Sequence, residues 1–143
     1  MSLKIAPHLT SDQINELLRE QAMLSAKKAY SPYSKACVGS AVLTQSGQVF
    51  TGANIENASY GGTVCAERVA IFKAVFEGEK QLKKVYVYTE AGWPPCGFCR
   101  QVISEFAHPE LKIVIGNKDQ TIHEIAFKEL MPLSFTPEHL TPA

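Results

Sequence analysis

The sequence predicts an α/β fold built on one mixed β-sheet covered by helices. Three observations predict it. Segments of helical spacing alternate with apolar, β-branched runs in the order helix, hairpin, helix, strand, helix, strand, strand. A chain of 143 residues, 45% hydrophobic and 20% charged, belongs with globular proteins that bury a core. No internal repeat, low-complexity tract or linker divides it, so residues 1–143 read as a single domain.

Each element follows from its own residues. Thr10–Ser11–Asp12–Gln13 reads as a helix start, with Thr10 accepting from the third helical amide and Gln13 reaching back in a capping box. Ile14, Leu17, Leu18, Gln21, Met23 and Leu24 recur at helical spacing, and the alanines that follow carry the helix up to Ala29. From Cys37, the runs CVGSAVLT and VFTGANI predict two apolar strands joined by the turn QSGQ, and Cys37 falls inside the first of them. After the polar loop 54–62, Cys65–Glu77 (CAERVAIFKAVFE) has a helical period that stops at Gly78. KKVYVYTE is a β-prone strand, AGWPP a loop, and Cys96–Ala107 (CGFCRQVISEFA) a third helix. The strand LKIVIG, a turn at Asn117–Lys118–Asp119, the strand TIHEIAF and a short KELMP segment complete the order. The Pro- and Thr-rich tail, residues 133–143, is expected to be loosely structured.

Lys plus Arg and Asp plus Glu both total 14, and no basic run stands out. The polyelectrolyte attraction behind nucleic-acid binding therefore has no footprint, and a small-molecule partner is favoured. No segment is long and apolar enough to span a bilayer, and the start lacks the pattern of a signal peptide. The expected setting is the cytoplasm, where the four cysteines are reduced thiols, metal ligands or core residues rather than a disulfide framework.

Chemistry concentrates in TVCAER and PPCGFC, both where a loop enters a predicted helix. By itself PPCGFC is a redox pair, half of a metal site or two small core residues. A helix N-terminus lowers the cost of a thiolate, and if the two helices lie side by side, Cys65, Cys96 and Cys99 converge on one soft divalent cation. Zinc fits best. Three protein ligands with no histidine nearby suggest an open, catalytic site rather than a closed structural one. Glu67, about 200° around the helix from Cys65, is a poor second ligand but reaches the same pocket as a proton shuttle. Three thiolates overcompensate the ion's charge, and Arg68 is placed to draw off the excess by hydrogen bonding to sulfur.

Cys-x-Glu followed by Pro-Cys-x-x-Cys is the zinc nucleobase-deaminase signature in its three-cysteine form. The chain resembles the cytidine deaminase family, in its small free-nucleoside branch. The resemblance runs through AYSPYS (Ala29–Ser34), VGSA (Val38–Ala41), GANIENASY (Gly52–Tyr60), CAER (Cys65–Arg68), PPCGFCRQVISEF (Pro94–Phe106) and ELMPLSF (Glu129–Phe135). It implies a three-layer α-β-α sandwich, one Zn2+ per chain on Cys65, Cys96 and Cys99, and hydrolysis of cytidine and 2′-deoxycytidine in pyrimidine salvage. By the same resemblance Glu67 is the catalytic proton shuttle, Asn54 and Glu56 hold the ribose hydroxyls, and the Ala66 N–H donates to the oxygen at the open metal position. Tyr60 and Phe135 match aromatic positions that close pockets across a homotetramer.

One position departs from the pattern. The family usually carries Phe two residues after Tyr-Ser, packed on the pyrimidine, and here that place is Ala36. A lost ring forfeits about 0.5–1.5 kcal/mol of aromatic contact or opens space. Either Trp93 refills that space, or the pocket takes a bulkier base such as an N4-substituted or blasticidin-type cytosine. The blander reading has Trp93 covering apolar surface. The alternative of another class is a non-catalytic zinc module, its fourth ligand Cys37 or a histidine.

Overall fold

The computed structural model describes residues 2–140. The elements are β1 (Leu3–Lys4), α1 (Ser11–Ala26), β2 (Gly39–Thr44), β3 (Gln48–Ala53), α2 (Ala66–Phe76), β4 (Leu82–Tyr88), α3 (Gly97–Glu105), β5 (Ala107–Gly116), β6 (Thr121–Ala126) and α4 (Phe127–Leu130). The six strands form one sheet in the order β1-β3-β2-β4-β5-β6. Only β4 and β5 run parallel, and α3 makes the crossover that such a pair requires.

The strands read as continuous apolar runs because alternate residues serve opposite faces. On one face Ala41, Leu43, Val49, Tyr86 and Val114 pack with Leu18 and Ala22 of α1. On the other, Val42, Phe50, Val85, Val87, Ile113 and Ile115 pack with Ala70, Ile71 and Ala74 of α2, Ile103 of α3 and Phe127 of α4. The result is the three-layer α-β-α sandwich with a mixed central sheet. Each large aliphatic side chain buried this way contributes about 1.5–3 kcal/mol.

Two glycines set how closely the helices approach the sheet. A Cβ on Gly39 would fall 1.8 Å from the Ala22 carbonyl oxygen, and one on Gly52 would fall 2.4 Å from the Ala66 carbonyl oxygen. Backbone of α1 and of the first turn of α2 therefore lies directly on the hairpin.

Thr10 is the N-cap of α1 and forms both bonds of the capping box with Gln13. The helix stops at Ala26, three residues before the expected end, because the chain is drawn into a bridge: Tyr30 N–H donates to the Asn54 carbonyl and Glu56 N–H to that of Tyr30. Cys37 lies exposed in the loop before β2, not inside the strand, which begins at Gly39. Ala107, expected to end the third helix, instead starts β5 opposite Leu82, well before the expected start at Leu111. The two-residue β1, paired with Val49 and Gln48, is too short to leave a periodic signal. In the tail, Pro137–Leu140 forms a 3-10 turn; residues 141–143 of the expected loose segment lie outside the described residues.

Candidate metal centre and surrounding pocket

Cys65 is the N-cap of α2 and Cys96 the N-cap of α3, each extended in backbone and neither making a side-chain cap bond. Their sulfurs are instead turned toward one another, 3.8 Å apart. Cys99, in the first turn of α3, is fully buried, and the three Sγ atoms lie within 4.8 Å of one another. Ligands at about 2.3 Å in tetrahedral array around zinc stand about 3.8 Å apart. The donor set and the Cys65–Cys96 spacing therefore fit that ion, and among the described residues no fourth His, Cys, Asp or Glu joins the group. Cys37 is not part of it; its Sγ lies 3.9 Å from Ser31 Oγ.

The electrostatics follow from crowding three thiols at two helix N-termini. Hydrogen bonding with Cys99 lowers the Cys65 thiol to about 5 against the opposing effect of burial, with Arg68 assisting. Cys99 moves the other way, pushed up by its bond to Cys65 and by burial. One thiolate forms readily, and further negative charge calls for a cation.

Arg68 Nη2 donates to Cys65 Sγ at 3.4 Å, and its guanidinium lies 5.7 Å from the Phe98 ring centroid. Glu67 is 3% exposed and is the one buried carboxylate among the described residues. Burial raises it to about 7, and the negative charge of Cys65 adds to the rise against a backbone hydrogen bond. The Ala66 amide belongs to the first turn of α2, where N–H groups have no acceptor within the helix.

The predicted sugar-side residues fasten a loop. Asn54 Oδ1 accepts from Val38 N–H at 2.9 Å, and its Nδ2 donates to the Ala36 carbonyl at 2.9 Å. Glu56 accepts from the Tyr33 and Ser34 amides at 3.0 and 3.1 Å and from the Ser34 hydroxyl. The Ser34 hydroxyl bond leads the effects that hold Glu56 below the ordinary carboxylate value. The Asn54 oxygen and amide each keep further hydrogen-bonding capacity, as does the Glu56 carboxylate. Tyr60 is exposed, its ring 5.6 Å from that of Tyr33. Phe135 is exposed too and stacks on His139, while its carbonyl accepts from Gln101 Nε2 at 2.8 Å.

Arg100 escaped the sequence reading. Its Nε donates to the Pro95 carbonyl at 2.9 Å and its Nη1 to the Leu130 carbonyl at 3.0 Å, tying the loop that delivers Cys96 to the end of α4. The available signal was an arginine one helical turn after Cys96. Trp93, half exposed, lines a cavity of about 690 Å3 together with Ala36.

A family model described as the cytidine and deoxycytidylate deaminase zinc-binding region matches residues 12–115. The cytidine deaminase of Halalkalibacterium halodurans is 45% identical over 127 residues, 87% of this chain and 96% of that protein. That of Sporosarcina psychrophila is 40% identical over 130 residues, 90% of this chain and 96% of the relative. Among solved structures, the cytidine deaminase of Burkholderia pseudomallei superposes with a TM-score of 0.81 at 38% identity, covering 89% of this chain and all of the other.

Proposed function

The chain belongs to the cytidine and deoxycytidylate deaminase family, and on that premise we propose how its own residues carry out the reaction. It is a zinc-dependent hydrolase that converts cytidine and water into uridine and ammonia. The observation that carries the assignment of roles is the single buried carboxylate among the described residues, Glu67, on the helical turn that follows Cys65 in the three-thiol cluster.

Cys65, Cys96 and Cys99 hold the zinc, which when bound acidifies a water molecule toward neutrality. Glu67 accepts a proton from the attacking water, passes one to N3 of the base, and returns one to the amino group as the C4–N4 bond breaks. Its burial keeps bulk water from competing for those protons. The Ala66 amide stabilises negative charge growing on the oxygen at C4. Asn54 and Glu56 use their remaining capacity to bind the ribose, and Arg68 holds the Cys65 sulfur. Glu67→Ala is expected to retain one zinc per chain while kcat falls by at least about 10²–10⁴-fold. Metal content and ultraviolet-monitored cytidine turnover measured on one sample check this, and a zinc-loaded variant of ordinary activity removes Glu67 from the role.

The finer reading adds 2′-deoxycytidine as substrate, a place in pyrimidine salvage, a cytoplasmic setting and a homotetramer. No helix among the described residues is long and apolar enough to cross a membrane. The exposed rings of Tyr60, Phe72, Phe76 and Phe135 support assembly, since a lone chain leaves them in water. Sedimentation of the zinc-loaded protein checks it; a monomer at micromolar concentration rules out the tetramer.

A further inference from the structure

Helices α2 and α3 each start at a cysteine, and the two cysteines are held in different ways. The direction of each Cα–Cβ bond is set by the peptide planes on either side of that Cα. At Cys65 both planes are held by backbone: the Val64 carbonyl accepts from Ile55 N–H at 2.9 Å, and the Cys65 carbonyl accepts from Val69 N–H at 3.1 Å. At Cys96 both are held by one residue, Arg100. Its backbone N–H donates to the Cys96 carbonyl at 2.9 Å, and its side-chain Nε donates to the Pro95 carbonyl, also at 2.9 Å. The guanidinium is itself anchored through Nη1 on the Leu130 carbonyl at 3.0 Å, where α4 ends. A planar fork with fixed donor directions serves two carbonyls at once, which an ammonium on a flexible stem does less well.

Cys96 depends on this support more than the other two thiols do. Cys99 lies fully buried in the first turn of α3, and Cys65 receives a hydrogen bond from Arg68. Cys96 is exposed and its side chain makes no cap bond. The loop that leads to it is pinned at its far end by the buried Thr89, whose Oγ1 accepts from the Gly92 and Trp93 amides at 2.8 Å. Pro94 and Pro95 then fix their own φ, so rotation about the Cys96 backbone is the freedom that Arg100 removes. We propose that Arg100 is a positioning residue for the metal centre: it aims the Cys96 sulfur at those of Cys65 and Cys99, and without it the site holds metal through two thiolates.

This inference rests on the reading of the three cysteines as metal ligands, and cobalt(II) as the probe separates the two. Arg100→Met is expected to weaken metal retention about 10–100-fold, measured by competition with a chromogenic chelator. Its cobalt-loaded form should lose about a third of the sulfur-to-cobalt charge-transfer absorption per bound ion, as one soft ligand of three lets go. Cys96→Ser supplies the reference spectrum, and adding Arg100→Met to it should cost no more than about a further twofold in affinity, because the two changes remove the same bond. An Arg100→Met spectrum equal to that of the parent protein, or equal losses of affinity in the parent and Cys96→Ser backgrounds, overturns the inference and leaves the metal site intact; Arg100 then only ties α3 to α4. Where Arg100→Met fails to fold, Arg100→Lys carries the same comparison: its single head serves one carbonyl at a time, so a smaller loss of charge transfer is expected, and the parent spectrum again overturns the inference. Absence of thiolate charge transfer in the cobalt-treated parent protein overturns the metal reading and this one together.

Discussion

Arg68 shows what a single side chain does to a cluster of like charges. Its Nη2 lies 3.4 Å from Cys65 Sγ, so part of the negative charge of that sulfur is drawn away from the metal position. Glutamine in its place keeps a hydrogen-bond donor and loses the cation. Arg68→Gln is therefore expected to weaken zinc retention about 10–100-fold, as outer partners of metal ligands commonly do. Competition with a chromogenic chelator measures it; unchanged affinity together with unchanged turnover removes Arg68 from this role. The gathering of Cys65, Cys96 and Cys99, with Glu67 and Arg68 beside them, was legible because residue type and short spacing at helix starts encode it. Asn54 and Glu56 were legible as polar loop residues, but not as fasteners of the 33–38 loop. That contact joins residues 16 to 23 positions apart, and no local pattern encodes it.

At the scale of elements, the position of α2 is set from beneath. Gly52 faces the Ala66 carbonyl and the Ala70 amide, with 2.4 and 2.6 Å available to an added Cβ, distances at which backbone has to move. Gly52→Ala is expected to lower stability by about 1–3 kcal/mol through overpacking and to displace the first turn of α2, so zinc affinity falls as well. Paired denaturation and metal titrations check this, and a stable variant of native zinc affinity refutes it. The helices were readable because their buried faces recur at helical spacing, and the Thr10–Gln13 capping box fixed one boundary. Other boundaries were set by partners distant in sequence. Tyr30 leaves the helix register to bridge Ile55, and Ala107 is taken into β5 by Leu82.

Across the whole molecule, a partly buried polar knot ties three elements. Lys84 of β4 donates to Ser11 and Asn15 of α1 at 2.8 and 2.7 Å and to Glu124 of β6 at 3.1 Å, while Asn15 Nδ2 donates to Glu124 at 2.7 Å. Burial alone would raise the Glu124 carboxyl, but the bonds from Asn15 and Lys84 prevail and hold it below 4.5. A carboxyl depressed on folding stabilises the protein above its unfolded pKa, and that contribution disappears as pH falls through the folded pKa. The melting temperature should therefore drop on acidification below about pH 4.5, the ordinary carboxylate value, and Glu124→Gln should flatten that limb. Parallel curves for the two proteins would show that the knot contributes nothing there. The sandwich itself was legible from element order, whereas strand order and this knot depend on pairings that only the assembled sheet reveals.

Cys65 and Cys96 occupy the residue that ordinarily closes a helix start with its own side chain, and neither does so. An ion held by their sulfurs would in effect be a shared end-piece for two helices that belong to different parts of the chain. Chelation should then release the opening turns of α2 and α3 together, visible as a simultaneous rise in hydrogen exchange at the Val69 and Arg100 amides, which donate to the Cys65 and Cys96 carbonyls, while α1 keeps its protection. Loss of metal would be read first as fraying at two places, well before the sheet between the helices gives way.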